Sequence, residues 1–187
     1  MRTQSSIAIF GLVLSTLAAC AASLPPQDLL SARTPAIDAF EHWLRERIAD
    51  YAAGLPRDPE HPFIKVLPHP LRPADWKLSM WATLLDGGGE IATHIHEQSW
   101  LSGAYYVAVP PVVGADDAEH AGWFEHGRPG VVLPHHAPAL GHVLPEPGLL
   151  IVFPSYLHHR TVPFVADGQQ RISISFDLTP PGFGRTG

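Results

Sequence analysis

His94-Ile95-His96-Glu97-Gln98-Ser99-Trp100-Leu101-Ser102-Gly103-Ala104-Tyr105-Tyr106-Val107 sets two imidazoles two positions apart, at the entrance to a run with the composition of a buried strand. In extended backbone the side chains at i and i+2 leave the same face. His94 and His96 are therefore expected to point one way, as half of a transition-metal site, because imidazole nitrogen suits Zn, Cu, Fe and Ni. The residues expected to complete the site lie far along the chain, at His159 and Arg171.

Working outward, Lys77 to Leu85 alternates, with Leu78, Met80, Ala82 and Leu84 on one face and Ser79, Trp81 and Thr83 on the other, before Asp86-Gly87-Gly88-Gly89 turns the chain. Leu101 to Val109 gives the next strand, closed by Pro110-Pro111, and Gly122 to Glu125 a short one. Leu149 to Phe153 is a fully apolar run of strand length bounded by Pro147-Gly148 and Pro154-Ser155. The clearest alternation is Arg171 to Leu178: Ile172, Ile174, Phe176 and Leu178 share one face, and Arg171, Ser173, Ser175 and Asp177 meet solvent or a polar cavity on the other. Before these strands, Thr34-Pro35 reads as an N-cap followed by proline at the first helical position. Ile37, Phe40, Leu44, Ile48 and Tyr51 then recur at helical spacing, and Gly54 is the stop. Prolines keep the following stretch irregular, with room for a short strand around Phe63 to Leu67. The Pro/His/Gly-rich segment from Arg128 to Gly141 reads as a loop, and His135, His136 and His142 have no spacing that singles out a metal.

Many short strands, frequent turns and one helix near the front describe an all-β core, a double-stranded β-helix of jelly-roll or cupin type with one or two N-terminal helices packed on the sheet. The chain has 187 residues, which fits one well-buried domain over 35–187. A hydrophobic content of 45% with 16% charged residues is that of a packed protein, and a net charge of −6 argues against nucleic acid as a partner. The single cysteine, Cys20, excludes an internal disulfide and a cysteine-based zinc site. Residues 1–20 have the basic start, apolar run and small-residue end of a secretory signal, and Leu17-Ala18-Ala19-Cys20 resembles a bacterial lipobox. Lipidation of Cys20 would attach the protein to a membrane, with 21–34 as a tether. The expected location is the bacterial cell envelope if the leader is a signal and the cytoplasm otherwise.

Several phrases together carry a resemblance. They are His94-x-His96 with Trp100-Leu101-Ser102-Gly103-x-Tyr105-Tyr106-Val107; Pro145-x-Pro147-Gly148 leading to Phe153-Pro154-Ser155-Tyr156-Leu157-His158-His159; and Arg171-x-Ser173 with Phe176-Asp177. In order and spacing the chain resembles the 2-oxoglutarate/Fe(II)-dependent oxygenases. It is similar in particular to the bacterial branch often fused behind tetratricopeptide repeats, and more distantly to prolyl 4-hydroxylases. The resemblance implies Fe(II) held by His94, position 96 and His159, the last preferred over His158. It also implies 2-oxoglutarate as co-substrate, with its far carboxylate held by Arg171, Ser173 and Tyr106; a guanidinium fork suits a carboxylate by two parallel hydrogen bonds. The implied reaction hydroxylates a small-molecule or protein side-chain substrate while 2-oxoglutarate is decarboxylated to succinate.

The chain departs from the pattern at position 96, where histidine replaces the usual carboxylate. Either His96 ligates, giving a three-histidine site, or water takes that place. Glu97 should point to the other strand face and is a poor substitute. The alternatives are a cupin-like three-histidine dioxygenase with no 2-oxo acid, for which an Arg171/Ser173 clamp has no use, and a non-catalytic envelope lipoprotein that keeps the fold as a binding module.

Overall fold

A computed structural model describes residues 28–56, 58, 60–65, 76–86, 89–129, 138–165 and 168–183. The leader with Cys20, and His135 and His136, lie outside the described residues. No helix among the described residues is long and apolar enough to cross a membrane.

Helix α1 (Pro35–Ala53) begins and ends where its caps dictate. The Thr34 Oγ1 accepts the Ile37 N–H at 3.3 Å, and the Gly54 N–H closes on the Asp50 and Tyr51 carbonyls at 3.2 and 3.1 Å. Its buried stripe, Ala36, Ile37, Phe40, Leu44, Ile48 and Ala52, follows the 3.6-residue period. Each large side chain on that stripe contributes about 1.5–3 kcal/mol by leaving water. The polar face does more than meet solvent. Arg45 pairs with Glu41 one turn earlier at 2.8 Å and donates from Nη1 to the Trp76 carbonyl at 3.2 Å. Ahead of the helix, Leu29–Ala32 forms a 3-10 turn. Asp28 caps it and also accepts the Met80 N–H at 3.2 Å, so the end of the stretch expected as a tether is fixed to a strand.

The strands are β1 (Lys77–Leu85), β2 (Ile91–His94), β3 (Leu101–Ala108), β4 (Phe124–His126), β5 (Gly141–Val143), β6 (Leu150–Pro154), β7 (His159–Thr161) and β8 (Arg171–Thr179). They form two four-stranded sheets, in the orders β1-β8-β3-β6 and β2-β7-β4-β5. This interleaving, with the first strand beside the eighth and the second beside the seventh, is the order of a double-stranded β-helix, the expected fold. Two expectations differ. Phe63–Lys65 is a turn, closed by the Ile64 and Lys65 N–H groups on the His61 carbonyl at 3.0 and 2.9 Å, and the rest of the short strand expected there lies outside the described residues. Gly141, expected to end a loop, starts β5, because Gly141 to Val143 pairs with β4.

The described residues cluster into two compact units: those up to Ala82 with Gln98–Trp100 and those from Phe176 onward, and Thr83–Glu97 with Leu101–Ser175. In the first, Trp100 is 1% exposed and stacks on Phe63 at 4.2 Å, with its indole N–H donated to the Phe63 carbonyl at 2.7 Å; the turn at Phe63 thus serves as a lid on an aromatic core. In the second, Phe124 meets Phe153 at 5.1 Å. The candidate site lies wholly in this second unit.

Candidate active site

His94 ends β2, and His159, the first residue of β7, is its partner across the antiparallel pair. A separation of 65 positions in the chain is thereby reduced to one rung of a ladder. The rings of His94 and His159 stand 4.2 Å apart, and His96, just beyond β2, lies 5.0 and 5.2 Å from them. One ligand nitrogen from each of the three falls within 4.8 Å of the others. Among the described residues no other group of histidine, cysteine or acidic side chains converges in this way. Glu97 is exposed, and His158 is outside the cluster.

Backbone carbonyls fix two of the rings. The His94 Nδ1 faces the Ala92 carbonyl at 2.8 Å and the His159 Nδ1 faces that of Leu157 at 2.9 Å. A carbonyl only accepts, so each Nδ1 carries the proton and each Nε2 offers a lone pair. This is the orienting bond that metal-binding histidines characteristically make. His159 is 8% exposed and is walled by Phe153 and Phe124, whose rings lie 4.5 and 5.5 Å away. His96 is located through its backbone: its N–H donates to the Ser155 carbonyl at 3.0 Å, and the Ser155 hydroxyl meets that of Ser102 at 2.8 Å, with both serines 1% exposed. Two small residues of the recognised phrases thus hold the irregular end of β2.

On β8 the polar face of the alternation is buried. Arg171 is 2% exposed and Ser173, on the same face two residues later, 3%. Nη2 of Arg171 donates to the Tyr106 hydroxyl on β3 at 3.2 Å, and the guanidinium carbon lies 4.8 Å from the centre of the Tyr106 ring. Burial lowers the pKa of Arg171, partly offset by Tyr106, and raises that of Tyr106, partly offset by Arg171; the guanidinium stays a cation at neutral pH. No carboxylate among the described residues pairs with it, and its Nε is buried without a hydrogen-bond partner. A buried cation left with an orphan donor is costly unless an anion completes it.

Residues 79–177 match the model of the family described as "Putative 2OG-Fe(II) oxygenase". The chain belongs to this family. No curated protein matches the sequence. Among solved structures, this oxygenase is similar in fold to a Pseudomonas putida prolyl-4-hydroxylase, at 15% identity and a TM-score of 0.57, over 93% of this chain and 81% of that one. A 2OG-Fe(II) oxygenase family oxidoreductase from Burkholderia pseudomallei matches at 15% identity and a TM-score of 0.38, over 56% of this chain and 45% of that one. Family membership makes the protein an oxidoreductase of the oxygenase class.

The residues of the oxygenase fit the groups its family implies. The three converging imidazoles, two of them with the tautomer fixed, suit a transition metal. The unpaired guanidinium edge suits a carboxylate. One buried group was not anticipated from sequence. Glu125, 2% exposed, receives Arg160 at 2.7 and 2.9 Å, Arg128 at 2.8 and 3.2 Å, and His142 at 3.1 Å. Burial alone would raise its pKa, but the hydrogen bonds from Arg160, Arg128 and His142 outweigh that and bring it to about 2. The network ties β4 to β5 and β7, next to His159. Its only signal in the sequence is a lone acidic residue in a short apolar run.

Proposed function

We propose that this oxygenase is an Fe(II)- and 2-oxoglutarate-dependent dioxygenase that hydroxylates a C–H bond of a small-molecule or protein side-chain substrate. The observation that carries the reading is Arg171: a buried guanidinium with no anion and no Nε partner among the described residues, in the same unit as three converging histidines. His94, His96 and His159 would hold Fe(II). Arg171, Ser173 and Tyr106 would hold the far carboxylate of 2-oxoglutarate. Together the bound metal and co-substrate supply the oxidising chemistry, in which 2-oxoglutarate and O₂ give succinate, CO₂ and a hydroxylated substrate.

The chain's own part is to bind, orient and exclude water. The Nδ1 protons of His94 and His159, committed to backbone carbonyls, keep both Nε2 lone pairs available. Phe124 and Phe153 close the side of His159 against solvent. With histidine at position 96 the ligand set carries no negative charge, so a dianionic co-substrate would offset two of the three positive charges of the metal and Arg171.

Anaerobic titration of the Fe(II)-loaded protein with 2-oxoglutarate tests this. A visible charge-transfer band is expected in the wild type. His159→Ala and Arg171→Ala are expected to abolish it, the first by losing iron and the second by losing the acid. A protein that takes iron but never shows the band with the acid belongs to the cupin-like reading, which the three-histidine set would equally serve.

A further inference from the structure

His126 is a half-buried side chain that the scheme above leaves unused. It ends β4 opposite His159 on β7, and His159 in turn stands opposite His94 on β2. Directly opposed residues of antiparallel strands send their side chains to the same face. The three histidines therefore make one row across three strands. The Gly127 N–H donates to the His158 carbonyl at 2.8 Å, which makes His126 and His159 a pair without direct backbone bonds between them. In that register facing side chains approach most closely.

Across the other strand pair His126 faces Gly141. A Cβ at that position would come within 2.8 Å of the His126 Nε2, so the ring is seated against bare backbone. Its Nδ1 is buried and has no hydrogen-bond partner among the described residues. Buried polar atoms in folded proteins are rarely left so. His126 is also outside the trio whose nitrogens converge, so it is not a fourth member of that set.

We infer that His126 is a binding residue for the acid held at the metal centre, its Nδ1–H donating to an oxygen of the bound 2-oxo acid. The inference rests on the proposed function, and adds a contact on the β4 side of the site to the clamp formed by β3 and β8. The strand register sets His126 opposite His159, Gly141 leaves room for its ring, and the unused nitrogen is the kind of donor that a carboxylate or keto oxygen accepts.

The test is anaerobic titration of the full chain, loaded with Fe(II), with 2-oxoglutarate in the wild type and in two variants. His126→Ala is expected to weaken 2-oxoglutarate binding about tenfold, the value of one hydrogen bond to a charged acceptor, with Fe(II) affinity unchanged. His126→Asn, whose amide nitrogen can take the place of Nδ1, is expected to restore most of that loss. Unchanged 2-oxoglutarate affinity in His126→Ala, or an equal loss of Fe(II) affinity in both variants, overturns the inference. So does failure of the Asn variant to recover what Ala loses. A wild type that forms the band beside an indifferent His126→Ala overturns this inference alone, whereas a wild type that takes iron without forming the band overturns it together with the proposed function.

Discussion

Glu125 and Arg171 are both 2% exposed, and the fold treats the two buried charges in opposite ways. The carboxylate is saturated: two guanidinium groups and an imidazole place five hydrogen bonds on its two oxygens. The guanidinium is left short, with one tyrosine hydroxyl, a ring face and a buried Nε that nothing among the described residues takes. A charge whose every partner is supplied by the protein is finished when the chain folds. One left incomplete is a place for something the chain does not encode. By this criterion Glu125 belongs to the framework, and Arg171 to the site.

The contrast can be broken by substitution. The largest stability change is expected at the saturated charge: Glu125→Ala leaves Arg128, Arg160 and His142 gathered without their anion, and should lower unfolding free energy by about 3 kcal/mol in urea titrations. Acid should act on the same group. Its folded pKa of about 2 lies below the ordinary 4.5, so its contribution is complete above about 4.5 and is lost as pH falls from there toward 2. Thermal unfolding of wild type and Glu125→Ala across that window should converge at the acid end; parallel curves would show that the network stores no such stability. The smallest change is expected at the incomplete charge. Arg171→Met, which replaces an uncompensated buried cation with an apolar side chain, should leave the ligand-free protein within about 1 kcal/mol of wild type in the same urea titrations. A loss as large as that of Glu125→Ala would make Arg171 a framework residue too.

What could be read from the chain alone follows from how local each feature is. Helix α1 is set by a Thr-Pro start, a glycine stop and one apolar stripe, all within one segment. The β8 alternation is equally local, though only the structure shows that its polar face is buried at Arg171 and Ser173 rather than wetted. The meeting of His94 with His159 was legible only through recognised phrases, since no periodicity links residues so far apart. Glu125 and His126 were not legible. They sit on a three-residue strand, and two of the three partners of Glu125, His142 and Arg160, lie 17 and 35 positions away beyond a Pro/His/Gly-rich segment. The turn at Phe63 has the apolar composition of a strand, but the Phe63 ring stacks on Trp100 and the amides of Ile64 and Lys65 close on the His61 carbonyl.

The central claim is that the unfilled edge of Arg171 awaits a carboxylate attached to a metal-bound keto acid. The most direct measurement compares the affinity of the Fe(II)-loaded protein for 2-oxoglutarate and for 2-oxobutyrate, which lacks the far carboxylate, in wild type and Arg171→Met. Wild type should prefer 2-oxoglutarate by at least about 100-fold, as expected for a buried charged pair, and the variant should bind the two acids alike. Equal affinities in the wild type, or an undiminished preference in the variant, would contradict the account.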